Sequence, residues 1–356
     1  MMDIYLRKIN RGIQDILDRA KKSYKLRQVS DHLFSLTREF VLRKGKRIRP
    51  LLFILSYKGY ARKPTRDEKG LFVSAASIEL LHDYMLIHDD VIDRSLLRRG
   101  KPTLHKMFDR KLTFKNTAPI GEELAIVAGD ILFALAIESF TSVRENLVRK
   151  EQALKKLAET AAFTGAGEFI DVVSGYQSID ELTEKKILLN YTLKTARYTF
   201  ECPLLMGALL AGAPVQEQNK LSRLGLVSGQ AFQIYDDMLD LFGTEKLIGK
   251  PVLTDLNESK KTLLIFRAYR RLCASGRLQL RRILEKKNKT MTDLEKLRSL
   301  ILESGSYHSC LALMTRLQRE ALALGSELKM KTAHKDMLCA VIKKLSPTRM
   351  PLELPS

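Results

Sequence analysis

Two aspartate clusters of identical form, DDxxD, are the residues in this chain best suited to chemistry. They are Asp89-Asp90-Val91-Ile92-Asp93 and Asp236-Asp237-Met238-Leu239-Asp240. Each closes an apolar run, IELLHDYMLIHDD in the first case and LVSGQAFQIYDD in the second. Carboxylates set against apolar sequence are costly unless a cation meets them. On a helix, residues four apart share a face and the intervening second Asp lies beside them. Each cluster therefore reads as a set of oxygen ligands for a hard divalent cation such as Mg²⁺. If the two helices face each other across a bundle, six carboxylates converge, and their repulsion would raise several pKa values unless metal offsets it. Metal bridging of a leaving diphosphate is the chemistry this pattern suits. A solvated helix face would account for one such cluster but fits two poorly.

Basic segments complement the acids. Lys44-Gly-Lys-Arg-Ile-Arg-Pro50 places four cations in a turn that leads into a helix, Arg98-Arg99-Gly100-Lys101-Pro102 follows the first cluster, and Gly249-Lys250-Pro251 follows the second. Any one alone reads as a surface turn. Together, beside carboxylate clusters, they suggest recognition of phosphate oxygens, with Arg as a bidentate clamp.

The elements that must position these groups read as helices. Apolar residues recur at three- and four-residue steps over Leu71–His88, Leu124–Thr141, Gln152–Val173, Glu181–Phe200 and Glu217–Phe242, with Gly and Pro between the runs. No alternating strand and no Gly/Ser-rich linker is visible. The pattern predicts a single all-α domain, a bundle of ten or more helices around a central cavity, over residues 1–345. A Pro-rich tail over 346–356, SPTRMPLELPS, should be loosely ordered.

Composition narrows the class. The 356 residues are 45% hydrophobic and 29% charged, with no long apolar run to span a bilayer. The N-terminus lacks a signal-peptide core, so a cytoplasmic location is expected. Cys202, Cys273, Cys310 and Cys339 have no ligand-like spacing and read as reduced thiols. The net charge of +20 suits attraction to anionic lipid or polyphosphate, or a solvated basic surface. Without a nucleic-acid motif and with only 7% aromatics, nucleic acid is not an expected partner.

The ordered set GKRIRP, HDDVIDRSLLRRGKPTLH, Lys194-Thr195, FQIYDDMLDLFG and GKPVLTDLNESKKTLL resembles the trans-isoprenyl diphosphate synthases, or polyprenyl synthases. The likeness is greatest to the archaeal-type short-chain geranylgeranyl diphosphate synthases and runs from about residue 33 to 264. It implies the isoprenoid synthase fold and a Mg²⁺-dependent prenyltransferase. Such an enzyme condenses isopentenyl diphosphate with an allylic diphosphate (dimethylallyl, geranyl or farnesyl) by ionisation, condensation and elimination, releasing diphosphate. By the same resemblance, Asp89 and Asp93 match direct metal ligands, with Asp90 in support. Asp236 matches the main ligand of a further ion, with Asp237 and Asp240 completing that shell, Asp240 as a ligand. Three Mg²⁺ per site are implied, with Mn²⁺ able to substitute. Arg98, Lys194, Lys250 and Lys260 match the grip on the allylic diphosphate, and Thr195 and Gln233 line that pocket. Lys46, Arg49, His82 and Arg99 match the isopentenyl diphosphate site. A homodimer, and a peripheral membrane contact for product release, are implied as well.

In this family the residues just before the first DDxxD limit product length. Tyr84 stands five residues before Asp89 and Met85 four before, a pattern similar to synthases that make the twenty-carbon geranylgeranyl product. Aromatics at both positions would suit a farnesyl synthase, and small residues there a longer-chain synthase. A terpene cyclase would lack GKRIRP and the second DDxxD, and a non-catalytic subunit of a heteromeric synthase would have lost some of these residues. Three departures from the family pattern stand out: the long connection over Phe108–Glu123, Glu168 where Gln is usual, and Ser259 where Gly is usual, which bears on the placing of Lys260.

Overall fold

The run that begins near Leu71 becomes helix α5 (Glu68–Ile92), started by Asp67, whose carboxylate accepts from the Gly70 N–H at 2.9 Å. Such a cap satisfies one of the orphan donors at a helix N-terminus. Every residue from Gly70 to Leu81 is buried, as an all-round apolar helix must be. The computed structural model describes residues 1–115, 118–243 and 260–347. Its contacts divide the chain into two compact units, Met1–Lys155 with Leu205–Ala213, and Lys156–Leu204 with Pro214–Ser356.

In the first unit, α1 (Met2–Ser23), α2 (Leu26–Val29), α3 (Asp31–Val41) and α4 (Ile48–Tyr60) precede α5, and α6 (Leu104–Lys111) and α7 (Gly121–Phe140) follow it. α5 packs chiefly on α7, α1 and α4. Ile9, Ile13, Phe40, Phe53, Ile54 and Phe140 belong to this core. The unit boundary falls within α8 (Leu147–Tyr176) and again within α10 (Cys202–Ala211).

In the second unit, α9 (Glu184–Asn190) runs into a π-helix (Tyr191–Glu201), and α11 (Val215–Phe242) packs against that π-helix and against the helix Ser306–Ser326. Two glycines make the α11 seam close. A Cβ at Gly229 would stand 2.3 Å from Ala196 Cα, and one at Gly225 would stand 2.6 Å from Glu201 Cα. Any side chain there would push α11 off the π-helix. Helices Leu263–Arg271, Ala274–Glu285, Met291–Glu303 and Thr332–Leu345 complete the described part of this unit.

The all-helical reading holds, with local differences. The run predicted over Glu181–Phe200 begins at the last residue of a short 3₁₀ turn and divides into α9 and the π-helix, which a window of this length does not distinguish from one continuous α-helix. A two-residue hairpin, Leu97–Arg98 against Lys101–Pro102, was not visible as alternation because it is too short to show any. Its turn residues Arg99 and Gly100 have φ of 55° and 71°, as a tight primed hairpin turn requires. The connection expected over Phe108–Glu123 is partly helical: Phe108 is buried at the end of α6, and Asp109 Oδ1 accepts from the Gly121 N–H at 2.9 Å to start α7. Contrary to the expectation of no span-length apolar run, α5 meets the length and mean hydropathy of a membrane helix, yet 78% of its most apolar window is buried in the protein. Ser346, the first residue of the predicted tail, is buried and accepts from Gln318 through its carbonyl, while residues 348–356 lie outside the described residues.

Candidate active site

α5 ends at Ile92 with Asp93 as its C-cap, so the first cluster occupies the last helical turn. That turn carries the negative end of the helix dipole, which favours a cation even before the carboxylates are counted, although the carbonyls of Asp89, Asp90 and Val91 already accept from the N–H groups of Asp93, Ser95 and Arg94. The three aspartates have separate environments. Asp89 and Asp93 are half-exposed, whereas Asp90 is 1% exposed. Arg98, from the hairpin, reaches Asp90 Oδ1 with Nη2 at 2.6 Å and Nε at 2.8 Å. Burial pushes the Asp90 carboxyl up to about 6; Asp89 and Asp93 add to that rise, and Arg98 opposes it. Arg98, predicted to grip diphosphate, is thus also the counter-ion of the buried aspartate.

The GKRIRP turn and the hairpin come together in the same unit. The absent Cβ of Gly45 would stand 3.3 Å from both Nη atoms of Arg99. Lys46 is exposed, while Arg49 and Arg99 are half-buried. The middle cation, Arg47, turns inward with φ of 48°, pairs with Glu79 at 2.9 Å and donates to the carbonyls of Val41 and Arg43. His82, one helical turn beyond Glu79 on α5, feels these cations. Burial, and then Arg49, Arg99, Arg98 and Arg47, hold its imidazole neutral, well below the usual His range. Asp83 beside it is fully buried with no hydrogen bond to either oxygen, and burial and Glu79 hold it well above the usual carboxylate range. The predicted isopentenyl diphosphate residues Arg49, His82 and Arg99 are thereby brought into one positively charged neighbourhood, with Lys46 on the turn at its edge.

The second cluster repeats the arrangement of the first. α11 ends at Phe242, two residues past Asp240. Asp236 and Asp240 are half-exposed and Asp237 is 6% exposed. Asp237 Oδ1 accepts from Gln233 Nε2 at 2.8 Å, and Oδ2 accepts from the Tyr191 hydroxyl. Burial pushes Asp237 up to about 7, against the lowering effect of its two donors. Gln233 in turn accepts from Thr195 Oγ1 at 2.6 Å, so the two predicted pocket residues touch. Lys194, one residue earlier on the π-helix, pairs with Glu168 at 2.6 Å and Asp171 at 2.8 Å, both on α8. Lys260 is half-exposed just before the helix Leu263–Arg271. Lys250 lies outside the described residues, as does Ser259.

On the same stretch of α5, five residues before Asp89, Tyr84 packs against α7. Its ring centroid is 5.2 Å from that of Phe133 and 4.6 Å from that of His88. Met85 is half-buried.

Do these residues fit divalent metal? Among the described residues no three His, Cys, Asp or Glu side chains gather into a cage for an ion. Mg²⁺ does not need one: it keeps several waters and takes one or two carboxylates together with substrate phosphates. A half-exposed pair of aspartates at a helix C-terminus, with the third aspartate held by protein donors, matches that demand in each cluster. Asp89 with Asp93, and Asp236 with Asp240, are the pairs that would hold such ions.

Several contributors were not singled out by spacing. Glu79 and Arg47 hold the GKRIRP turn, Asp171 holds Lys194, and Tyr191 holds Asp237. A signal existed for Asp171 alone, three residues after Glu168 in GEFID and so on the same helix face.

Comparison with known proteins gives the family and the fold. The Polyprenyl synthetase family matches residues 30–301. A short chain isoprenyl diphosphate synthase of Methanocaldococcus jannaschii is 32% identical over 281 residues, 78% of each chain. A geranylgeranyl diphosphate synthase of Saccharolobus solfataricus is 31% identical over 293 residues, 79% of this chain and 78% of its own. The fold is that of the geranylgeranyl pyrophosphate synthase of Corynebacterium glutamicum, solved with isoprenyl diphosphate and magnesium. The TM-score is 0.89 at 24% identity, covering 98% of this chain and 100% of that one. The chain belongs to the polyprenyl synthetase family, and its activity is that of a trans-prenyl diphosphate synthase.

Proposed function

We propose that the enzyme condenses isopentenyl diphosphate with allylic diphosphates and stops at geranylgeranyl diphosphate. The observation that carries the chain length is Tyr84, five residues before Asp89, its ring against Phe133 and His88, with the smaller Met85 next to it. An aromatic in this position sets a floor for a growing apolar chain by filling the space it would enter.

Asp89, Asp93, Asp236 and Asp240 would hold divalent cations, which, when bound, neutralise the charge that collects on a leaving diphosphate. The protein's own groups act around that. Lys194, with its ammonium positioned by Glu168 and Asp171, and Lys260 bind allylic diphosphate oxygens, and Lys250 joins them by the family resemblance. Lys46, Arg49 and Arg99 bind the diphosphate of isopentenyl diphosphate, and neutral His82 adds a hydrogen bond without adding charge. The allylic C1–O bond breaks with its electron pair leaving on the diphosphate. The double bond of isopentenyl diphosphate then supplies the pair for the new C–C bond. Loss of a C2 proton to the released diphosphate restores a double bond. Positioned charge does the work, and no Ser or Cys nucleophile is involved.

We further place the enzyme in the cytoplasm as a homodimer. Four cysteines outside any disulfide suit a reducing compartment. Exposed apolar residues on α8, including Phe169 at 72% and Tyr176 at 91%, support a self-association surface. Sedimentation at micromolar concentration should give twice the chain mass. The product assignment is tested by incubating the enzyme with Mg²⁺, labelled isopentenyl diphosphate and each allylic primer in turn. The twenty-carbon product should dominate with every primer, and a ladder ending at another length would overturn the assignment.

A further inference from the structure

Asp237 has both carboxylate oxygens engaged, and one of the two donors, Tyr191, touches neither substrate nor metal in the proposed chemistry. The Tyr191 hydroxyl donates to Asp237 Oδ2. A phenol has one proton, and its direction here is set by the other side of the oxygen, which accepts the Leu263 N–H at 2.8 Å. Tyr191 is the first residue of the π-helix, Asp237 lies in the last two turns of α11, and Leu263 is the first residue of its helix. One buried hydroxyl therefore joins three elements. Tyr191 is 7% exposed and Asp237 6%, so water does not readily replace either bond.

We propose that Tyr191 is a positioning residue for the second aspartate cluster. It locks Asp237 so that Asp236 and Asp240, on the half-exposed side of the same turns, keep the orientation in which they take a divalent cation. It also ties the start of the helix Leu263–Arg271, and with it Lys260 and Lys261 just upstream, to that cluster. Lys261 is itself held, donating to the carbonyls of Ser174 at 3.0 Å and Gly175 at 2.8 Å. The inference rests on Asp236 and Asp240 being metal ligands. Its physical basis is that groups behind a metal ligand set its orientation, and their loss costs affinity even though they never touch the ion.

The test uses Tyr191→Phe in the full-length enzyme, a change that keeps the ring and removes the hydroxyl. Circular dichroism and the melting temperature without metal establish that the variant is folded. Mg²⁺ is then titrated at fixed inorganic pyrophosphate, with the rise in melting temperature as the signal. The half-saturating Mg²⁺ concentration should rise about 10-fold or more. In steady state, the Mg²⁺ requirement and the KM for the allylic substrate should rise, with the KM for isopentenyl diphosphate within two-fold of wild type. In an Asp237→Asn background the same substitution should have little further effect, because its route is through Asp237. An unchanged Mg²⁺ titration in Tyr191→Phe, with Asp236→Asn abolishing the response, would overturn the role of Tyr191 and leave the metal assignment intact. An unchanged titration in Asp236→Asn would overturn both.

Discussion

The guanidinium of Arg98 closes on the carboxylate of Asp90, Nη2 at 2.6 Å and Nε at 2.8 Å from the same oxygen. Asp90 is 1% exposed and sits between two half-exposed aspartates one and three positions away. In the second cluster the corresponding Asp237 is held by Gln233 and Tyr191. Each DDxxD motif therefore has a division of roles imposed by helix geometry. The first and last aspartates share a face, while the middle one is rotated by about 100° into the protein, where it must find a donor. The protein supplies a cation to one and two neutral donors to the other.

Removing the cation should be costly. Arg98→Ala leaves Asp90 buried with one of its oxygens stripped of partners, and breaking a buried pair from one side costs about 3 kcal/mol or more. Urea unfolding of the metal-free protein at pH 7.5 should show that loss, and Asp90→Asn in the same chain should recover a large part of it. Equal stability of Arg98→Ala and wild type would mean that the pair contributes nothing to the fold.

The half-exposed aspartates should behave differently from Arg98. Asp89→Asn and Asp236→Asn remove charge where water can still solvate the amide, so the far-UV spectrum and melting temperature should change little. Turnover should fall by about 10²–10³-fold or more, the scale seen when a group that stabilises developing charge is lost. Rates near wild type in either variant would argue against a role in binding metal.

Product length should respond to Tyr84. Tyr84→Ala removes the ring that packs on Phe133 and His88, and opens space beside α7. Reversed-phase chromatography of the dephosphorylated products should show chains longer than twenty carbons, with the rate of the first condensation close to wild type. An unchanged product profile would place the floor elsewhere.

His82 supplies a pH dependence with a definite sign. Its folded-state pKa is depressed, by burial first and then by four arginines, so the folded protein excludes a proton that the unfolded chain accepts. Its contribution is fully present above the unfolded value of about 6.5 and is lost as pH falls from there toward the folded value. The slope approaches about 1.4 kcal/mol per pH unit. Unfolding free energies at pH 7.5 and 5.5 should therefore differ more in wild type than in His82→Gln. The same difference in both would assign the acid sensitivity to other groups.

Much of the fold was legible along the chain because its signals are local. Apolar steps of three and four located α5, α7, α8 and α11 to within a few residues, and Gly and Pro marked the breaks. The π-helix escaped because Tyr191–Glu201 has an apolar pattern little different from that of an α-helix. The hairpin at Arg99-Gly100 escaped because two-residue strands have no measurable period. At the site, the family resemblance pointed to Lys46, Arg49, His82 and Arg99 as a group and gave Arg47 no role. Arg47 turns inward only because Glu79, on another helix, is buried opposite it.

What the sequence by itself determined is the chemistry on offer: two sets of carboxylates at four-residue spacing, closing apolar helices and flanked by cations. Spacing on a helix places side chains on a face without help from the rest of the chain. What only the tertiary structure decided is which carboxylates are committed to protein partners. Tyr191 lies 46 residues from Asp237, and Asp171 lies 23 residues from Lys194, separations at which no periodicity carries information. Those pairings arise when helices pack closely enough to exclude water, as α11 does on the π-helix at Gly225 and Gly229. Asp237 and Lys194, taken out of water, bond to the groups that the packing has brought beside them.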